Sequence, residues 1–412
     1  MFSFKLGLKN LTRQKRRNVI TILVIAFAFF GYLFMDSVMG GMEEMSFSNI
    51  KNYDTGSIQV MHPEYWEDRE KLPLENLIYI NQDTLDNIKN MKGVSGVSPE
   101  LRFKANLNNG IDEVAVLGLG ISPEQYNEVF DTKNYITEGT MFAPGESKAV
   151  IGVKLAELMD LKMNDYITLL VRTKEDTFNT IDVEISGLLN SPNPIMNNGI
   201  VFVSLDIAQQ ALNLGNEVSL LAMRTAFGNE DKIIKALTGS FKDKNLELKA
   251  YSWRESAASI IALSTAKKSG AATILSVVLL IGMIGIINNV ILSALERTGE
   301  IGMMKALGMR EWEIVFVFMV EATGIGILGG LAGCLIGFFG VGYMAKYGFD
   351  LSYMGGDMSE YGIPILDKIY GTWNISAFSF LFILSVIVAL LSSIIPAYWA
   401  AHKDPVKAIY HR

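Results

Sequence analysis

Four apolar runs divide the chain, at residues 18–40, 271–295, 314–344 and 374–399. Each is long enough to cross a bilayer as a helix, since about 20 residues at 1.5 Å rise cover roughly 30 Å of hydrocarbon. The second and third runs make a helical hairpin around a polar stretch, 296–313, that reads ERTGEIGMMKALGMREWE. Ile301, Met304, Lys305, Leu307 and Gly308 recur there at helical spacing behind Glu296, Arg297 and Glu300, which predicts a short amphipathic helix at the membrane surface. Such a helix is either a solvated connector or a handle for something outside the bilayer.

Between the first and second runs the pattern changes to that of a folded domain. Residues 56–61, 96–107, 217–224 and 246–251 read as strands, and 82–91 and 230–241 as helices, so two βαβ-type units bracket residues 41–270. Inside them, 150–161 and 204–214 read as helices, while 166–172, 180–189 and 200–203 read as strands. The expected fold class is an α-helical membrane protein with four transmembrane helices plus a large α+β extracytoplasmic domain. That domain has a split βαβ core with an inserted β-rich subdomain at about 137–215. From Trp253 onward no proline interrupts the pattern, so a helix is expected to enter the second span as a stalk, with Lys267 and Lys268 at the outer membrane surface.

Half of the 412 positions are hydrophobic, which suits a membrane protein with a sizeable soluble part. The first run follows a basic segment (1–17) as a signal peptide would, and Ala26 and Ala28 resemble a cleavage site. The apolar run nevertheless continues through Phe29, Phe30, Tyr32 and Phe34, which favours an uncleaved span. Lys5, Lys9, Arg13, Lys15, Arg16 and Arg17 precede it without an acid. Arg297, Lys305 and Arg310 lie in the central stretch, and Lys403, Lys407 and Arg412 in the tail (400–412). The loop 345–373 instead carries Asp350, Asp357, Glu360 and Asp367 beside Lys346 and Lys368. Positive residues therefore place both termini and residues 296–313 in the cytoplasm of a multi-pass membrane protein. Trp312, Trp373 and Trp399 fall at span ends, where an indole sits at the interface.

The charge left to the exported part is acidic, and no basic stripe with interleaved aromatics suggests nucleic acid. Cys334 is the sole cysteine, so no disulfide forms within the chain. His62, His402 and His411 make no local metal pair, and no catalytic or phosphate-binding motif is present. Neither metal ligands nor catalytic residues are expected, and if the chain uses ATP it borrows the ATPase.

In the third span, Gly326 and Gly330 form one small-residue pair, and Gly329, Gly333 and Gly337 a second ladder. That spacing lets two helix backbones approach closely, either within the chain or at a subunit interface. Glu321 lies about two turns into the same span. It serves either as a structural anchor that reaches interfacial water or Lys305 or Arg310, or in transport. Asp36 is expected to reach the outer interface.

The segment from Glu296 to Gly337, ERTGEIGMMKALGMREWEIVFVFMVEATGIGILGGLAGCLIG, resembles the core of the FtsX/MacB/LolCE-like permeases of ABC transporters. The tail PAYWAAHKDPVKAIYHR, the start LKNLTRQKRRNVITIL and the stretch EGTMFAPGESKAVIGVKLAELMDLKMNDYITL are similar to the same family, so the resemblance covers essentially the whole chain. It implies a non-catalytic permease that pairs with a second permease, as homodimer or heterodimer, and works with two copies of a separate ATPase. ATP and Mg would sit in those ATPase subunits, and no cofactor is implied for this chain. Glu296, Arg297, Glu300, Ile301, Gly302, Lys305 and Gly308 are then the candidate ATPase-coupling residues.

MacB-type exporters carry the ATPase ahead of the first span, where this chain has only its basic segment. By size and span number the chain resembles the lipoprotein-releasing LolC/LolE permeases, which implies release of lipoproteins from the inner membrane. A periplasmic lipoprotein carrier would then be a partner, although the proline-rich hook of LolC-like members has no match. Membrane lipid is a further expected partner, and Phe27, Phe29, Phe30 and Phe34 are candidate acyl-chain contacts. A MacB-like exporter of a peptide or small molecule is the alternative within transport. A membrane-anchored sensor is the alternative from another class.

Overall fold

The computed structural model describes residues 2–226, 228–349 and 368–402. Asp350, Asp357, Glu360 and Asp367 of the expected outer loop, and Lys403, Lys407, His411 and Arg412 of the tail, lie outside the described residues. So do the side chains of Lys267 and Lys268.

Helix α1 (Phe2–Leu11) precedes α2 (Lys15–Ile50). Then follow β1 (Ile58–Met61), α3 (Pro63–Asp68), β2 (Ile78–Tyr79), α4 (Gln82–Lys89), β3 (Val94–Asn108), β4 (Glu113–Ile121) and α5 (Pro123–Val129). The middle of the chain forms β5 (Ile136–Gly139), β6 (Lys148–Gly152), α6 (Val153–Leu158), β7 (Tyr166–Arg172), β8 (Phe178–Leu189), α7 (Pro194–Gly199), β9 (Ile200–Ser204) and α8 (Leu205–Ala211). Next come β10 (Glu217–Val218), β11 (Leu220–Thr225), α9 (Glu230–Asp243), β12 (Lys249–Ser252) and the one-turn α10 (Trp253–Ser256). The last helices are α11 (Ala258–Glu296), α12 (Thr298–Ala306), α13 (Glu311–Tyr347) and α14 (Ile375–Ala401).

Two compact units result. One draws on the described parts of Met1–Glu43, Leu263–Asp350 and Lys368–Arg412, and the other is Glu44–Ala262. Four helices are long and apolar enough to cross a membrane: α2, α11 over Thr273–Glu296, α13 and α14. Together with the α/β unit they give the expected fold class.

In the α/β unit, β1 pairs antiparallel with both β11 and β12, and β11 pairs antiparallel with β3. Strands β11 and β12 are thus parallel neighbours across β1, and β1 and β3 are parallel neighbours across β11. These are two interlocked split βαβ units. The β-rich middle is not a separate sheet, because β4 pairs parallel with β9 and β3 pairs with β7. The ladder β3–β4–β9–β6–β8–β7 returns to β3 and closes a ring of six strands. Its interior is filled by Phe103, Leu107, Ile151, Leu169, Ile185 and Val203, and closure leaves these strands without a free edge there.

One expectation needs correction. The helix expected at 150–161 starts only at Val153, and 148–152 is β6. Ala149, Val150 and Ile151 are fully buried between β8 and β9, so tertiary pairing overrides a short apolar run that fits either period. Strand β4, the hairpin partner of β3, went unread because its glycines at 118 and 120 dilute the strand signal. Gly118 is needed there, since a Cβ would collide with the Phe103 ring.

Candidate functional site: the polar end of the helical unit

Helix α12 is held between two long helices by caps and by one buried ion pair. Gly308, at φ +91°, turns the chain out of α12, and Glu313 accepts a hydrogen bond from the Arg310 backbone N–H at 2.9 Å at the start of α13. Arg297, at the α11–α12 junction, is 6 % exposed and its Nη1 lies 3.4 Å from Glu321 Oε2 on α13. Ser293 Oγ donates to Glu321 Oε1 at 3.3 Å. The acid therefore pairs with Arg297, and not with Lys305 or Arg310. Lys305 instead lies 3.3 Å from Glu311, which His402 Nε2 also approaches at 3.1 Å.

The α1–α2 junction is laced to the same end. Arg13 forks onto Glu300 at 3.0 and 2.5 Å, Arg17 reaches Glu296 at 3.2 Å, and Gln14 also donates to Glu296. Below them Arg17 Nε donates to Asn289 Oδ1 at 2.8 Å, and Asn289 Nδ2 donates to Thr21 Oγ1 at 3.0 Å. Helix α1 lies tightly on α13, because a Cβ at Gly7 would stand 2.8 Å from Val320. Four elements thus meet in one network of charges.

The seven candidate coupling residues do not share one face. Glu296 and Gly308 are exposed, Glu300 and Lys305 are half-buried in ion pairs, and Arg297, Ile301 and Gly302 are buried within the chain. The buried three position α12 and present nothing outward, because its inner face packs into the core with Ile314 and Phe318. The outward apolar residues are Met303, 56 % exposed, and Leu307, 86 % exposed. Sequence reasoning did not single them out as a pair. The signal was their spacing of four residues, offset from Ile301.

The two glycine ladders face different helices. Cβ atoms at Gly326 and Gly330 would stand 2.5 Å from Ala389 and 2.6 Å from Ser385 on α14. At Gly329, Gly333 and Gly337 they would stand 3.0 Å from Ile25, 2.6 Å from Phe29 and 2.5 Å from Leu33 on α2. Helix α13 is thereby clasped on two sides within the chain. Of the four aromatic candidates for acyl chains, Phe29 is buried against Gly333 and is withdrawn from any outside contact. Phe27 is 67 % exposed, and Phe30 and Phe34 are half-buried, 5.8 Å apart. Asp36 accepts a hydrogen bond from Asn374, the N-cap of α14, at 2.9 Å. Among the described residues no cluster of three or more metal-ligating side chains occurs.

Four spanning helices, a large α/β unit between the first and second, and a short helix between the second and third define a membrane permease. Residues 19–238 match the MacB-like periplasmic core domain and residues 272–405 the FtsX-like permease C-terminal family. The chain belongs to this family and is an ABC transporter permease of the MacB/FtsX type. It is 21 % identical to an uncharacterized ABC transporter permease of Methanocaldococcus jannaschii, over 97 % of this chain and 96 % of that one. It is 23 % identical to the ABC transporter permease YknZ of Bacillus subtilis, over 99 % and 98 %. Identity is 25 % to the macrolide export ATP-binding/permease protein MacB of Psychrobacter arcticus, over 99 % of this chain but 59 % of that protein. The crystal structure of the periplasmic region of MacB from Actinobacillus actinomycetemcomitans aligns with TM-score 0.37 and 10 % identity, over 52 % of this chain and 95 % of that one.

Proposed function

We propose that the chain is the non-catalytic membrane subunit of an ATP-driven exporter, with a separate ATPase docking on α12. The observation that carries this reading is the two-sided character of that helix. Its inner side is locked by Arg297, Ile301 and Gly302, while Met303 and Leu307 project from its outer side. Exposed apolar side chains on an anchored helix suit a protein partner's cleft. Two ATPase copies, holding ATP and Mg, would serve a pair of permeases, with both termini of this chain in the cytoplasm and the chain in the inner membrane. Because α11 is unbroken from Ala258 to Glu296, a displacement at its Glu296 end is carried along the helix.

For the cargo, two readings compete. Release of acylated lipoproteins, with Phe27 and the half-buried Phe30 and Phe34 offering apolar surface and a periplasmic carrier as acceptor, follows from the size and span number of the chain. Export of a small molecule or peptide is favoured by the relatives named MacB.

Co-purification of the full chain with an ABC ATPase tests the first step. Leu307→Asp is expected to weaken that association about thirtyfold, the effect of losing one well-packed anchor, without lowering thermal stability. Undiminished association and ATPase stimulation would remove α12 as the docking element. Depletion of the protein followed by membrane fractionation tests the cargo. Lipoproteins retained in the inner membrane support release, whereas normal sorting leaves the small-molecule exporter.

A further inference from the structure

Beside the α1–α2 junction lies a pocket of about 390 Å³ lined by Arg13, Gln14, Lys15, Arg16, Arg17 and Glu296. Four cations face it and one acid. Arg13 and Arg17 are partly neutralised by Glu300 and Glu296, but Lys15 and Arg16 are exposed, and among the described residues no hydrogen bond or ion pair is seen for either. Two buried polar atoms of the lining residues also lack a partner: Arg17 Nη2, a donor, and Gln14 Oε1, an acceptor. The pocket therefore holds surplus positive charge, and two side chains of its lining carry a buried polar atom without a partner.

We propose that this pocket binds the headgroup of an anionic phospholipid. A phosphodiester seated in the pocket pairs with the exposed Lys15 and Arg16. Lys15 opens α2, so the unbonded first-turn N–H groups of that helix add favourable field for an anion. The continuation of the same helix selects lipid over a free phosphate. Val19, Ile20, Leu23, Val24 and Phe27 are 45 to 67 % exposed along α2, immediately past the pocket, where acyl chains hanging from a bound headgroup would lie. A lipid seated here bridges the charged junction and the outer face of the first span. It would brace the end of the molecule to which Glu296 and Glu300 are tied.

The test uses the purified full chain in neutral detergent and native mass spectrometry with added phosphatidylglycerol or phosphatidylcholine. Phosphatidylglycerol should be retained at least about tenfold more strongly, and the preference should shrink with ionic strength. Lys15→Gln with Arg16→Gln should weaken its retention about thirtyfold, roughly fivefold for each cation removed. The control Lys5→Gln with Lys9→Gln removes the same charge from α1, outside the pocket, and should change retention less than threefold. Both positions of the test pair are exposed, and unchanged helical circular dichroism and a monodisperse elution profile verify the fold. Equal losses in the two double variants would show diffuse attraction to a basic segment and overturn the site. Displacement of the lipid by millimolar inorganic phosphate would assign the pocket to a soluble phosphate and overturn the lipid reading. Resistance to it supports the lipid.

Discussion

Two arginine–carboxylate pairs, each with a buried acid, sit in the two units and are built differently. In the helical unit, Arg297 at the α11–α12 junction reaches Glu321 on α13, 24 residues on, and both are nearly sealed from solvent. In the α/β unit, Glu100 and Arg102 lie two residues apart on one strand, with Arg102 Nε and Nη2 at 3.0 and 2.9 Å from Glu100 Oε2. Glu100 is fully buried, and Arg102 also donates to the Asp54 carbonyl at 2.8 Å. A pair within one strand moves with that strand and carries no relative motion. A pair between helices resists any shift of one against the other, so it bears on how α12 is held. Removing the arginine strands a buried acid in either pair, whereas only the first pair constrains how α12 is held.

That contrast is tested most strongly by Arg297→Ala and Glu321→Ala. Each is expected to cost about 3–5 kcal/mol, because the partner is left charged and buried. Thermal unfolding in detergent measures this, and the double variant should cost clearly less than the sum of the singles. Additive costs would show that the two side chains are not linked.

Glu100→Ala should cost about 1–3 kcal/mol in denaturant unfolding, since Arg102 stays partly exposed and keeps Asp54 as a partner, yet leave any ATPase association untouched, which separates the local pair from the bridging one. Its titration gives a second handle. Burial pushes the Glu100 carboxyl above its ordinary value of 4.5, against the opposing pull of Arg102. A carboxyl raised in the folded state stabilises fully below the unfolded value, and that contribution is lost as pH rises through the folded one. Stability of the wild type relative to Glu100→Gln should therefore fall as pH rises from about 4.5. A flat difference would show that the pull of Arg102 cancels the effect of burial.

Smaller effects separate packed from open positions on the helices. Gly333→Val should cost about 1–3 kcal/mol by driving methyls into Phe29. Gly31→Ala, with nothing within 4 Å of its Cβ, should stabilise by up to about 1 kcal/mol through helix propensity. The exposed fork of Arg13 to Glu300 should matter least. Arg13→Gln is expected to cost less than about 1 kcal/mol in thermal unfolding, and high salt should erase the difference.

Much of this architecture is legible in local patterns. The four apolar runs, the amphipathic character of 298–306 and the four-residue spacing of glycines depend only on period and length, which a sequence displays directly. The candidate coupling residues are legible as a segment but not as a face. Arg297 looks like any charged residue leading into a surface helix, and nothing local reveals that it turns inward to an acid on the next span. Phe29 and Phe27 are likewise two apolar residues in one run, and only the rotation of α2 against Gly333 buries the first and exposes the second.

By itself, then, the sequence determined the spans, the polar helix between the second and third, and a split βαβ core. Tertiary structure alone decided that Glu321 meets Arg297, that one glycine ladder faces α2 and the other α14, and that 148–152 closes a ring of strands. The physical reason is range. Helical and strand periods are set by neighbours a few residues away, whereas helix rotation and strand pairing depend on which distant surfaces exclude water and satisfy buried charge together.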